Sequence, residues 1–110
     1  MRKFSLDALA RKHTAAAATA GNHRSAETVV GGHEHVMRQT LISLTAGSEL
    51  SEHDNPGEAT LLVVAGRVRL TCGDESWEGR HLDLIDIPPN RHSLAALEDS
   101  TVLLSTAIAR

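Results

Sequence analysis

From Val36 to Ala109 the chain is a succession of short runs suited to extended backbone, broken at close intervals by turn residues. That punctuation is the feature that most limits what the chain can fold into, because several short strands separated by turn signals make a β-sandwich or barrel. Val36 to Leu44 reads as a strand with Met37, Gln39, Leu41 and Ser43 on one face and Val36, Arg38, Thr40, Ile42 and Leu44 on the other. Ala59 to Ala65 is mostly apolar and stops at Gly66. Arg67 to Cys72 alternates strictly, Gly73-Asp74-Glu75 turns, and Ser76 to Glu78 begins the return. Asp83 to Ile87 is a short strand that Pro88 and Pro89 end, since neither proline can donate to a ladder. His92 to Leu97 resumes, Glu98-Asp99-Ser100 turns, and Thr101 to Ala109 is the last strand. Gly47 to Glu58 is polar and rich in turn residues, and reads as a loop leading into the apolar strand.

The front of the chain obeys a different period. Residues 1–21 carry helix signals, with Ser5 as N-cap, Phe4 and Leu9 at hydrophobic-staple positions and Gly21 as the stop. Leu6, Leu9, His13, Ala16, Ala17 and Ala20 share one face of that helix. The face is thin in bulk, so it docks on something larger, either its own barrel or a partner subunit, and His13 is read as a surface or docking histidine. Asn22 to Gly32 is a loop or arm with a short Thr28-Val29-Val30 strand. The expected division is a helix and arm over residues 1–27 and a β barrel over residues 28–110.

Composition removes several function classes. Phe4 and Trp77 are the only aromatics, so the core is built from Leu, Val, Ile and Ala, and nucleic-acid binding by base stacking is disfavoured. A net charge of −3 offers no basic footprint for phosphate backbones or anionic membranes. Cys72 stands alone, and no apolar run approaches the roughly 20 residues of a membrane span. The expectation is a cytoplasmic protein that contacts neither nucleic acid nor membrane.

Two stretches then resemble the paired motifs of the cupin superfamily in its small single-domain form. Gly47, five residues, His53-Asp54-Asn55, then Ala59, six residues and Gly66 follows the first motif. Leu82, five residues, Pro88-Pro89-Asn90, one residue and His92 follows the second. The resemblance covers residues 36–109. It implies an all-β double-stranded β-helix of jelly-roll type, preceded here by an α-helix, and it implies a homodimer. It also implies a divalent metal (Fe, Mn, Ni or Zn) held inside the barrel by three histidines and a glutamate.

The ligand set departs from that pattern. His53 and His92 match, whereas Asn55 stands for the second histidine and Ala59 for the glutamate. An amide oxygen is a weak ligand for such metals and an alanine is none. Glu58 is one residue from the required place, and alternation aims it at the opposite face unless a bulge at Gly57 shifts the register. The candidate metal residues are therefore His53, His92 and Glu58, with His33 or His35 as a source of a further ligand and an apo barrel as the alternative. Asn90 can take the left-handed conformation of the glycine it replaces.

The candidate pocket residues are Asn55, Gln39, Leu61 and Leu94, an aliphatic wall with a polar end; for Leu61 the simpler reading is barrel core. No catalytic residue is assigned. The leading functional expectation is a small-molecule-binding cupin that acts as a sensor or accessory protein. The rivals are a metal-dependent oxygenase or isomerase built on His53 and His92, and a non-catalytic dimeric interaction module.

Overall fold

A computed structural model describes residues 1–32, 34–53 and 57–108. Its one helix is α1 (Leu6–Thr19), and its strands are β1 (Arg24–Val30), β2 (Met37–Leu44), β3 (Glu49–His53), β4 (Gly57–Ala65), β5 (Arg67–Cys72), β6 (Glu75–Arg80), β7 (Leu84–Asp86), β8 (His92–Ala96) and β9 (Ser100–Ile108). They form a five-stranded sheet in the order β1-β2-β9-β4-β7 and a four-stranded sheet in the order β3-β8-β5-β6. Every pairing is antiparallel. This is the jelly-roll sandwich expected of the alternating runs.

The larger sheet is buried on both faces where its central strands lie. Ile42, Leu61, Val63 and Val102 point between the sheets, where they meet Val68, Leu70, Leu94 and Ala96 of the smaller sheet. Their sequence neighbours Leu41, Val64 and Leu103 point the other way and pack with Val29 and with Ala10 of α1. Strands covered on both sides need apolar residues at consecutive positions, which is why β4 and β9 read as nearly continuous apolar runs. The smaller sheet is covered on its inner face only, and so β5 keeps strict alternation, with Arg67 and Arg69 outward.

Ser5 caps α1 as expected, its Oγ accepting the Ala8 N–H at 3.2 Å. The helix stops at Thr19 with Ala20 extended, one residue before Gly21, and Gly21 does not take a positive φ. Ala10, His13 and Ala17 are buried, whereas Ala16 is exposed, so the docking stripe runs through positions 6, 10, 13 and 17. A face this poor in bulk is positioned by polar contacts. His13 Nδ1 meets the Ser25 hydroxyl at 2.7 Å, and its Nε2 meets Glu27 Oε1 at 2.8 Å. Beside it, the buried hydroxyls of Ser43 and Thr101 share a hydrogen bond of 2.6 Å, and Thr14 reaches Thr101 at 3.3 Å.

Two regions differ from the sequence reading. Residues 49–53, read as part of a loop, form an edge strand, because backbone pairing to β8 overrides a composition with only one large apolar residue, Leu50. β1 starts at Arg24 instead of Thr28, so the expected division after residue 27 falls inside a strand that pairs with β2.

Candidate functional site

The Pro88-Pro89 corner carries the chain from β7 in the larger sheet to β8 in the smaller one, and His92 is the first residue of β8. The residue is 4% exposed, and Nδ1–H donates to the Asn90 carbonyl at 3.2 Å. That bond fixes the orientation of the imidazole and, in the neutral ring, leaves the lone pair on Nε2. The ladder between β3 and β8 makes His53 the Cα partner of His92, after an irregularity between Leu50 and His53. The backbone thus brings the two matched histidines opposite one another. The side chain of His53, and all of Asn55 and His33, lie outside the described residues.

Glu58 does not join them. The ladder between β4 and β9 runs in regular register through Gly57, Glu58 and Ala59, and its only shift lies between Val63 and Ala65. With no bulge at Gly57, alternation holds: Ala59 is buried in the inter-sheet core and Glu58 is exposed on the outer face. Gln39 is also removed from the barrel interior. It shares the face of Leu41, which packs under α1, and its side-chain amide donates to Ser105 Oγ at 3.0 Å. His35 is exposed. Leu61 and Leu94 are where they were expected, on the inner wall.

That wall encloses a cavity of about 20 Å³ lined by Leu50, Leu61, Leu70, Leu94, Leu104 and His92 together with Ile42 and Ile87. It has room for a single water-sized group. Of these residues Ile42, Leu50, Leu70, Ile87 and Leu104 were not singled out from the sequence. The alternation of β2, β5 and β9 carried the signal for Ile42, Leu70 and Leu104. Leu50 was hidden by the polar composition of β3.

Among the described residues no set of donors fits a transition metal. The inward position that the cupin pattern gives to a carboxylate holds Ala59, the neighbouring carboxylate faces outward, and no three His, Cys, Asp or Glu side chains gather among the described residues.

Leu82 stands where the second cupin motif carries glycine, and its backbone is left-handed, φ 67°, a region that glycine enters without strain. Its N–H donates to the Val63 carbonyl at 2.7 Å, which ties the turn before β7 to β4. Asn90 does not have a positive φ, so the left-handed position of this motif is at Leu82.

No protein-family model matches the chain, and no curated protein matches it. Solved structures do. A conserved protein of unknown function from Streptococcus pyogenes is 24% identical, with a TM-score of 0.74 over 83% of this chain and 79% of that one. A cupin superfamily protein from Desulfitobacterium hafniense is 20% identical, with a TM-score of 0.72 over 78% of each chain. Salicylate 1,2-dioxygenase from Pseudoaminobacter salicylatoxidans is 18% identical, with a TM-score of 0.78 over 94% of this chain but only 34% of its own. With its two facing antiparallel sheets, its Pro-Pro corner and these neighbours, the chain has the fold of a small cupin.

Proposed function

We propose that this cupin is a non-catalytic interaction module that associates with a second copy of itself. The observation that carries the reading is the filling of the barrel. Among the described residues, the cavity between Leu61, Leu70, Leu94 and His92 is about 20 Å³, whereas sites for drug-sized ligands occupy roughly 300–1,000 Å³. Leu61, Leu70 and Leu94 serve as core, and Ala59 adds to that core where a metal-binding cupin would place a ligand. The outside of the barrel supports the same reading, because Trp77 and Leu84 remain 41% and 65% exposed and line one groove with Glu78, Asp83 and Asp86. Exposed apolar groups gathered in one region and rimmed by charge mark an association surface.

A second reading rests on His92, a buried polar side chain at the edge of the aliphatic cavity. There a small ligand would present one polar group to the imidazole and open the barrel end as it entered.

Sedimentation equilibrium across the micromolar range, combined with elemental analysis of untagged protein purified without added metal, separates these readings from an enzyme. The expected result is a concentration-dependent dimer with far less than one metal per chain. A monomer at every concentration would overturn the proposal. Stoichiometric Fe, Mn, Ni or Zn that His92→Ala removes would favour the metal enzyme instead.

A further inference from the structure

β6 and β7 are the edge strands of opposite sheets, and β7 is only three residues long. The sandwich is consequently open between them, in a groove of about 380 Å³ lined by Trp77, Glu78, Asp83, Leu84, Ile85 and Asp86. Trp77 is the ladder partner of Leu70, which is fully buried. It therefore stands on the inner face of its sheet at the point where the opposite sheet no longer covers it. The surroundings are acidic. Between Asp74 and Asp86 the sequence has five carboxylates and one arginine, Arg80. Glu78 is shared with Arg67 and Arg69, and Asp83 accepts the Arg80 N–H at 2.8 Å, whereas Asp86 is exposed on β7.

The opposite charge pattern stands at the other end of the chain. Met1, Arg2, Lys3 and Phe4 precede the Ser5 cap and are all exposed, with the Arg2 guanidinium 5.7 Å from the centre of the Phe4 ring. Four of the eleven lysines and arginines lie within residues 1–12, against one acid, Asp7. Met1 is fully exposed and Phe4 38% exposed in the single molecule, as are Trp77 (41%) and Leu84 (65%) in the groove.

We propose that the groove between β6 and β7 receives residues 1–4 of a second copy, with Phe4 and Met1 against Trp77 and Leu84 and with Arg2 and Lys3 beside Asp86 and Asp83. The proposal rests on the self-association reading above and names the surfaces that carry it. Two cations flanked by apolar side chains match a groove that combines apolar groups with carboxylates, which gives the contact both burial and electrostatic selectivity. In a reciprocal exchange each copy gives its segment and receives the other's, so that the assembly closes as a dimer.

Trp77 is the only tryptophan, so its emission reports on the groove directly. Dilution series of the full chain, followed by Trp emission and by sedimentation, are compared for the wild type, Arg2→Glu with Lys3→Glu, and Asp86→Lys. All three substituted positions are exposed, and circular dichroism checks that the variants fold. The wild type is expected to shift its emission to shorter wavelength as it dimerises, and to do so less readily at high salt. The double variant is expected to associate at least about tenfold more weakly, and mixing it with Asp86→Lys is expected to restore association above that of either alone. A wild-type dimer whose affinity and Trp emission are unaffected by the double variant overturns the exchange while leaving self-association standing. A wild type that is monomeric throughout overturns both.

Discussion

Leu82 gives an unusually direct test of how this fold tolerates a departure from its motif. A β-carbon in the left-handed region costs about 1–2 kcal/mol, and Leu82 bears that cost at φ 67° while 66% exposed. Replacement by glycine removes the penalty and loses little packing. It also loosens the unfolded chain, which offsets about 0.4–1 kcal/mol of the gain. The 2.7 Å backbone bond to Val63 is retained in either case. Leu82→Gly should therefore stabilise the protein by about 0.5–1 kcal/mol, or roughly 2–6 °C in Tm. Leu82→Ala is the control, because it removes the same apolar surface while keeping the strained β-carbon, and it should not stabilise. Urea and thermal unfolding of the three proteins read the difference. A glycine variant no more stable than the alanine variant would refute the strain argument.

Other outcomes follow from faces, contacts and charge. Ala59→Glu places a carboxylate in the inter-sheet core, and should cost more than about 3 kcal/mol by denaturant unfolding; Glu58→Ala, on the outer face, should change stability by less than about 0.5 kcal/mol. A β-carbon at Gly66 (φ 84°) would run into the Asp99 carbonyl and Ser100, both held by backbone, whereas one at Gly79 would meet the Val63 side chain at 2.9 Å. Gly66→Ala should therefore lower Tm more than Gly79→Ala, whose overpacking costs about 1–3 kcal/mol. The hydrogen bond from His13, helped by the charge of Lys12, holds the Glu27 carboxyl below its ordinary pKa. A lowered carboxylate pKa contributes stability that is fully present above the ordinary carboxylate range and is lost as pH falls through the folded value. Glu27→Gln should accordingly cost stability at neutral pH and converge on the wild type as pH drops below that range, as followed by thermal unfolding.

The sheets were legible because alternation and turn chemistry act locally. Arg67 to Cys72, the Pro88-Pro89 stop and the Ser5 cap are each fixed by near neighbours. β3 was not legible, since its pairing to β8 is formed across some forty residues of chain and little in Glu49-Leu50-Ser51-Glu52-His53 announces it. At the site, alternation alone warned that Glu58 would face away from His92, and only the register with β9 could establish that no bulge intervenes. The placement of Gln39 was misjudged for the opposite reason. A strand covered on both faces has two apolar sides, and the pattern does not say which one lines the barrel. The helix pattern left His13 as either a surface or a docking histidine; it is buried, because its partners Ser25 and Glu27 depend on the return of β1 beneath the helix, which no local signal encodes.

The position of β9 bears on how the molecule can be made. It is the last strand in chain order, yet it lies at the centre of the larger sheet, hydrogen-bonded to β2 on one side and to β4 on the other. During synthesis β2 and β4 must wait for it with unpaired edges, so the sheet closes late and through contacts between distant residues, the slowest kind to form. Until β9 arrives, the nascent chain presents two apolar edge strands to its surroundings, and shielding them falls to chaperones or to speed.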